Sequence, residues 1–188
     1  MFGGLILAAG NGSRFGPESK LVQELGGRPL VEHAIEAMCA VSAVDRIVVV
    51  LGAHADLVRS RVRFGRAESV VCERWSDGMS ETLKFGLQAL QPAERVVVML
   101  GDSPTVTSSV VERFVSAPPG SRAVYHGRPG HPVVLGPAHV DALRSLTGDK
   151  GARALVDGAA IECSDLCSGL DVDTPEDLAL LRAAWPTR

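Results

Sequence analysis

The stretch that most restricts the fold is Gly4-Leu5-Ile6-Leu7-Ala8-Ala9-Gly10-Asn11-Gly12-Ser13-Arg14-Phe15-Gly16, with Lys20 shortly after it. Leu5 to Ala8 read as a buried strand, and the run of Ala, Gly, Asn and Ser that follows lets the backbone come close to a ligand with its N–H groups pointing outward. Arg14 and Lys20 add the positive charge that bare amides lack, so the segment has the chemistry of a triphosphate grip. An ordinary strand-to-loop turn is the plainer alternative. Two named loops are excluded. No glycine is followed by Lys-Ser or Lys-Thr in Walker spacing. The dinucleotide fingerprint fails at Phe15, where its third glycine belongs, and Pro17 obstructs a helix leaving the loop. The strand Ile47 to Leu51 also ends in Gly52-Ala53-His54, without the acid that would take a ribose hydroxyl.

Further along, apolar runs alternate with amphipathic stretches, which predicts an α/β, Rossmann-like three-layer domain with a mostly parallel central sheet. Pro29 opens a helix whose apolar face is Leu30, Val31, Ala34, Ile35, Met38 and Cys39. Val70 to Cys72, Val96 to Leu100, Val133 to Leu135 and Ile161 to Cys163 read as strands. Leu83, Leu87 and Leu90 mark a helix beginning near Ser80. Thr107 to Val115 reads as a helix capped by Thr107 or by a Ser109/Glu112 box, and Thr174-Pro175-Glu176-Asp177 starts a last helix with a capping box. At 188 residues and 46% hydrophobic, the chain fits one globular domain spanning 1–188. A net charge of -3 with scattered cations argues against nucleic acid as a partner. No run is long enough to cross a membrane. Cys39, Cys72, Cys163 and Cys167 lack paired metal spacing and no signal segment opens the chain, so a cytoplasmic protein with reduced thiols is expected.

Gly101-Asp102-Ser103-Pro104 places a carboxylate just past a buried strand, at the edge where open α/β sheets bind ligands. Asp102 there suits Mg²⁺ as a hard oxygen ligand; capping the next turn is its alternative role. Leu170-Asp171-Val172-Asp173 reads as a short strand that brings Asp173 to the same edge, with Asp171 competing for the part and Asp177 capping its helix. Gly78-Met79-Ser80 leads into a helix whose free N–H groups can hold an anion or a base edge, unless Ser80 is a plain N-cap. Gly127-Arg128-Pro129-Gly130-His131-Pro132 reads as a rigid exposed turn presenting Arg128 and His131, the latter open to being a simple surface histidine. Thr147 to Arg153 offers Lys150 and Arg153 in a glycine-bounded loop.

In this order and spacing, these pieces resemble the molybdopterin nucleotidyltransferase family, and its molybdenum cofactor cytidylyltransferase branch above all. The resemblance implies that Leu7, Ala8, Ala9 and Gly10 hold base and ribose, with Ser13 and Gly101 also on the nucleotide. It implies Arg14 and Lys20 on the triphosphate, Gly78, Met79 and Ser80 on the base side, and Asp102 and Asp173 as ligands of Mg²⁺. Arg128, His131, Lys150 and Arg153 are the acceptor candidates. The implied reaction moves CMP from CTP to a pterin-type phosphate acceptor carrying molybdenum, releasing pyrophosphate, with a molybdoenzyme as possible recipient. Catalysis then consists of positioning and charge neutralisation by Arg14, Lys20 and Asp102-bound metal, with no protein nucleophile. The Gly16 to Lys20 interval is one residue longer than is usual in the cytidylyl branch, which keeps GTP open. An NAD(P)-linked reductase and a non-catalytic pterin carrier are the competing readings.

Overall fold

A computed structural model describes residues 1–143, 147–148, 151–152 and 156–186. In chain order the elements are β1 (Phe2–Ala8), β2 (Glu24–Leu25), β3 (Arg28–Pro29), α1 (Leu30–Cys39), β4 (Arg46–Leu51), α2 (Ala55–Arg61), β5 (Glu68–Val71) and α3 (Met79–Ala89). They continue with β6 (Arg95–Leu100), α4 (Ser108–Val115), β7 (Arg122–Tyr125), β8 (Arg128–Leu135), α5 (Pro137–Leu143), β9 (Ala160–Glu162) and α6 (Pro175–Ala184). Seven strands form one sheet in the order β5-β4-β1-β6-β8-β7-β9, while β2 and β3 pair apart from it.

Apolar side chains on both faces of the central strands decide the layering. In β1, Leu5 and Leu7 enter one core with Val48, Val50, Val96 and Val98, and α3 covers it with Leu83 and Leu87. Ile6 and Ala8 point the other way, toward Val49, Val97 and Met99 and the helices that bring Val31, Ala34, Val110 and Phe114. Strands apolar on both faces need helices on both, and successive residues alternate between the two cores with the period of two that extended chain imposes. The expected three layers follow. A third, smaller cluster joins Leu25, Leu30, Val172, Leu178 and Leu181, with Phe15 and Trp185 packed against it.

β1 pairs in parallel with β4 and with β6, and β4 with β5. Ala8 lies opposite Leu51 and Leu7 opposite Leu100, so the loops leaving β1, β4 and β6 emerge side by side. Chain order reverses here, because β4 lies on one side of β1 and β6 on the other. Connections departing in opposite directions leave a crevice at that edge.

Several local expectations need correction. Residues 170–173 form no strand; the segment is tied to the sheet edge by one backbone bond, from Val172 N–H to the Asp102 carbonyl at 2.9 Å. Residues 128–132 of the expected exposed turn at 127–132 instead belong to β8, which runs antiparallel to β6 and β7. The real turn is His126-Gly127, both at positive φ, and Tyr125 pairs with Arg128 directly after it. Thr107 does occupy the N-cap of α4 but accepts no capping bond, which leaves a Ser109–Glu112 box out of register. The α6 box does form. Thr174 accepts from the Asp177 N–H, and Asp177 accepts in return from Thr174. All four cysteines are free, and no helix among the described residues is long and apolar enough to cross a membrane.

Candidate functional site

The crevice at the carboxyl edge is a cleft of about 540 Å³. Its floor and one wall come from the first loop, through Leu7, Ala8, Ala9, Gly10, Ser13 and Arg14. Gly78 and Met79 form the facing wall, and Asp102, Asp171 and Asp173 close one end. Gly101 and Ser80 are not on the surface of the cleft. Gly101 continues the sheet ladder, donating its N–H to the Leu7 carbonyl at 2.8 Å. Ser80 is fully buried inside α3, so it is no N-cap; Gly78 holds that position.

Gly78 is required there. Its φ of 108° and ψ of 176° lie in a region that only glycine occupies readily. A Cβ at Gly78 would also stand 2.5 Å from the backbone of Gly148. That close approach lets Gly148 accept the Ser80 N–H at 3.0 Å, satisfying one of the free donors at the start of α3.

Lys20 lies at the head of a 3-10 turn, Lys20–Val22, and reaches back across the cleft floor. Its Nζ donates to Asp102 Oδ2 at 2.5 Å, to the Val172 carbonyl at 2.8 Å and to Asp173 Oδ1 at 3.1 Å. Its side chain is only 12% exposed. Burial by itself would lower the Lys20 pKa, but the Asp102 charge and the bonds to Asp102 and Asp173 outweigh it and the pKa rises above its ordinary value. The ammonium is therefore permanently charged at neutral pH. Arg14 adds a 3.0 Å ion pair to Asp173 Oδ2 while remaining 72% exposed. Asp173 is held in turn by Asp177, whose Oδ2 accepts the Asp173 N–H at 3.0 Å and the Thr174 N–H at 2.8 Å. Asp171 accepts a hydrogen bond from the Ser103 hydroxyl.

Among the described residues, the lining carries three carboxylates against two cations. A polyphosphate entering such a space meets an excess of negative charge, which an added cation would offset. The donors present are hard oxygens, two carboxylates and the Val172 carbonyl, which is the set that Mg²⁺ or Mn²⁺ prefers. Asp102 Oδ1 is buried with no hydrogen-bond partner, an open valence at that spot.

The acceptor candidates fare differently. His131 is only 5% exposed, and its carbonyl receives the Tyr125 hydroxyl at 2.7 Å; strand pairing holds it within the sheet, and it does not line the cleft. Arg128 is exposed at the start of β8. Since Val98 lies opposite Val133, this end of β8 overhangs the carboxyl edge of β6 without lining the cleft. Lys150 and Arg153 fall outside the described residues. Conversely, Trp75, Thr82 and Asn11 line the cleft and carried no separate expectation. Trp75 sits on a short 3-10 turn, packed flush on Gly52, where a Cβ would come within 2.7 Å of it. One of two tryptophans, standing in a loop ahead of a ligand-edge helix, was a readable sign of a flat apolar surface for a ring.

A doubly covered sheet with a glycine loop, two cations and paired carboxylates at its switch point defines a nucleotide-handling α/β transferase. The chain belongs to the MobA-like NTP transferase domain family, whose model matches residues 4–164. It is 37% identical to a nicotine blue oxidoreductase from Paenarthrobacter nicotinovorans, over 93% of each chain. In three dimensions it is similar to Rv0371c from Mycobacterium tuberculosis H37Rv, with a TM-score of 0.84 and 27% identity over 97% of both chains. The same is true of an Rv0371c complex with manganese, at a TM-score of 0.80 and 26% identity, covering 97% of this chain and 98% of that one.

Proposed function

We propose that this nucleotidyltransferase is metal-dependent and moves CMP from CTP to a phosphate-bearing pterin that carries molybdenum, releasing pyrophosphate. The observation that carries the reading is the Asp102–Lys20–Asp173 cluster, which lines the same cleft as the glycine loop. Asp102 and Asp173 are the residues to hold a divalent ion, and the manganese complex of a similar protein supports that class of metal. Such an ion supplies charge neutralisation on phosphate oxygens.

The chain's own groups account for the rest. The first loop leaves backbone N–H groups and the exposed Arg14 fork to fix the triphosphate, and a fixed triphosphate turns transfer into a positioned, in-line displacement. Trp75 and Met79 offer an apolar face to the base, with backbone groups of Ala8 and Ala9 to read its edge. The acceptor phosphate is ionised at neutral pH and is its own nucleophile, so no side chain has to remove a proton. Arg128 overhangs the side from which an anionic acceptor would approach.

A redox reading is favoured by one finding, the name of the relative from Paenarthrobacter nicotinovorans, which matches this chain nearly end to end. Against it stands the tip of β4, where Gly52-Ala53-His54 offers no carboxylate to a dinucleotide ribose. A single experiment separates the two. Purified protein is given each of four nucleoside triphosphates with Mg²⁺ or Mn²⁺ and the molybdenum-bearing pterin, and pyrophosphate is measured. Parallel wells hold NADH or NADPH, read by absorbance with an oxidised dye-like acceptor. Acceptor-dependent pyrophosphate from CTP supports the transferase; nicotinamide oxidation without any pyrophosphate overturns it.

A further inference from the structure

Lys20 has no donor to spare for a third anion. An ammonium has three N–H donors, and here all three are committed, to Asp102, the Val172 carbonyl and Asp173. In this arrangement no donor is left for a phosphate. A divalent ion held by Asp102 and Asp173 would draw on the same two carboxylate groups, so ammonium and metal compete for their charge. The stem is already laid along the phosphate loop. A Cβ at Gly12 would lie 3.6 to 3.9 Å from the Lys20 methylenes, so the side chain runs directly beneath the turn that would cradle a phosphate chain.

We infer that Lys20 is a built-in counter-ion that makes metal binding conditional on nucleotide: it holds the carboxylates until a phosphate chain in the glycine loop offers its ammonium another anion. The inference rests on the transferase reading above. Metal alone must evict a buried, thrice-bonded cation into a cleft that offers it nothing in exchange. Triphosphate alone enters a lining with one negative charge in excess. Together each removes the other's obstacle, since the phosphates receive the ammonium and the vacated carboxylates receive the metal. Two ligands that relieve each other's penalty bind cooperatively, and the coupling is reciprocal. Arg14 needs no such displacement, because only one of its nitrogens is engaged and most of the side chain faces solvent.

Two measurements on the full chain test this. In the first, free Mn²⁺ is followed by electron paramagnetic resonance as it is titrated into nucleotide-free wild type, Lys20→Met and Lys20→Met/Asp102→Asn. Removing the competing ammonium should tighten Mn²⁺ by about tenfold or more, in keeping with the weight of a buried charge pair, and the added Asp102→Asn should abolish the gain. Equal or weaker binding by Lys20→Met overturns the inference while leaving the transferase reading intact. The second needs no variant. In wild type carrying ¹⁵N-labelled lysine, one ammonium signal should be protected from exchange, persist in millimolar Mg²⁺, and shift when CTP is added with it. A signal displaced by Mg²⁺ alone overturns the conditional coupling. Absence of Mn²⁺ binding by every variant, with or without nucleotide, removes the metal reading and this inference together.

Discussion

Gly78→Ala is the sharpest single test of how the cleft is built. The native φ of 108° and ψ of 176° lie where a residue with a Cβ is strained by about 1–3 kcal/mol. The new methyl would also overlap Gly148 backbone atoms at 2.5 to 2.9 Å, and backbone yields far less than the end of a side chain. Relief requires moving residues 147–148 away from α3, which breaks the Ser80 N–H to Gly148 bond, a loss of about 1 kcal/mol. The combined cost is about 2–4 kcal/mol, or roughly 4–16 °C in Tm for a chain of this size. The assay is calorimetry or urea unfolding, with CTP protection measured in parallel. Protection should fall more than global stability does, because the displaced wall is the one bearing Met79 and Trp75. A variant within 0.5 kcal/mol of wild type, with protection unchanged, would refute the argument that this glycine sets the wall.

Asp102→Asn and Asp173→Asn should each abolish metal-dependent pyrophosphate release with the fold retained by circular dichroism; if Asp171→Asn is inactive in place of Asp173→Asn, Asp171 is the second ligand. Thr174→Ala and Asp177→Ala each break the α6 capping box and should cost about 0.5–2 kcal/mol apiece. Only Asp177→Ala also frees the Asp173 N–H, so it alone should weaken Mn²⁺ binding. Arg14→Lys should lower kcat/KM sharply, since a point charge does not reproduce a guanidinium fork on phosphate; unaltered kinetics would remove Arg14 from the grip. His33 is buried beside Trp185, and burial, with a smaller push from Arg28, holds its pKa below the ordinary 6.5 against the pull of the Leu25 carbonyl. A depressed pKa in the folded state favours protonation of the unfolded chain. Stability should thus decline as pH falls below about 6.5, and His33→Gln should flatten that slope in urea melts.

The central strands and the first loop were legible because their signals are local: four apolar residues, then glycines and two cations within a dozen positions. Asp102 was legible for the same reason, as an acid directly after a buried strand. Asp173 reached its expected edge by another route, through an irregular segment anchored at Val172 rather than a strand. His131 was misread because Pro129 and Pro132 disguise a strand as a turn. Pairing with β7 starts at Arg128 regardless, and the ladder absorbs them near the register shift between Arg122 and Val124. Lys20 was read as a phosphate ligand beside the loop. Its carboxylate partners, 82 and 153 residues away, were not legible, because such pairing depends on how strands are ordered in the sheet. Trp75 and Thr82 were overlooked because neither titrates, although apolar walls make up much of a nucleotide pocket.

The small cluster of Leu25, Leu30, Val172, Leu178 and Leu181 is separate from both cores of the sheet, yet Phe15 of the first loop and the segment bearing Asp173 are fastened to it. Its loss would free the two ends of the cleft while leaving the seven-stranded sheet in place. Opening of this unit is a sub-global event with a free energy of its own, below that of complete unfolding. Amides around Val172 and α6 should accordingly exchange with solvent sooner than those of β1 and β6. The protein can then become inactive while its sheet is still folded, so the temperature at which it stops working lies beneath the temperature at which it melts.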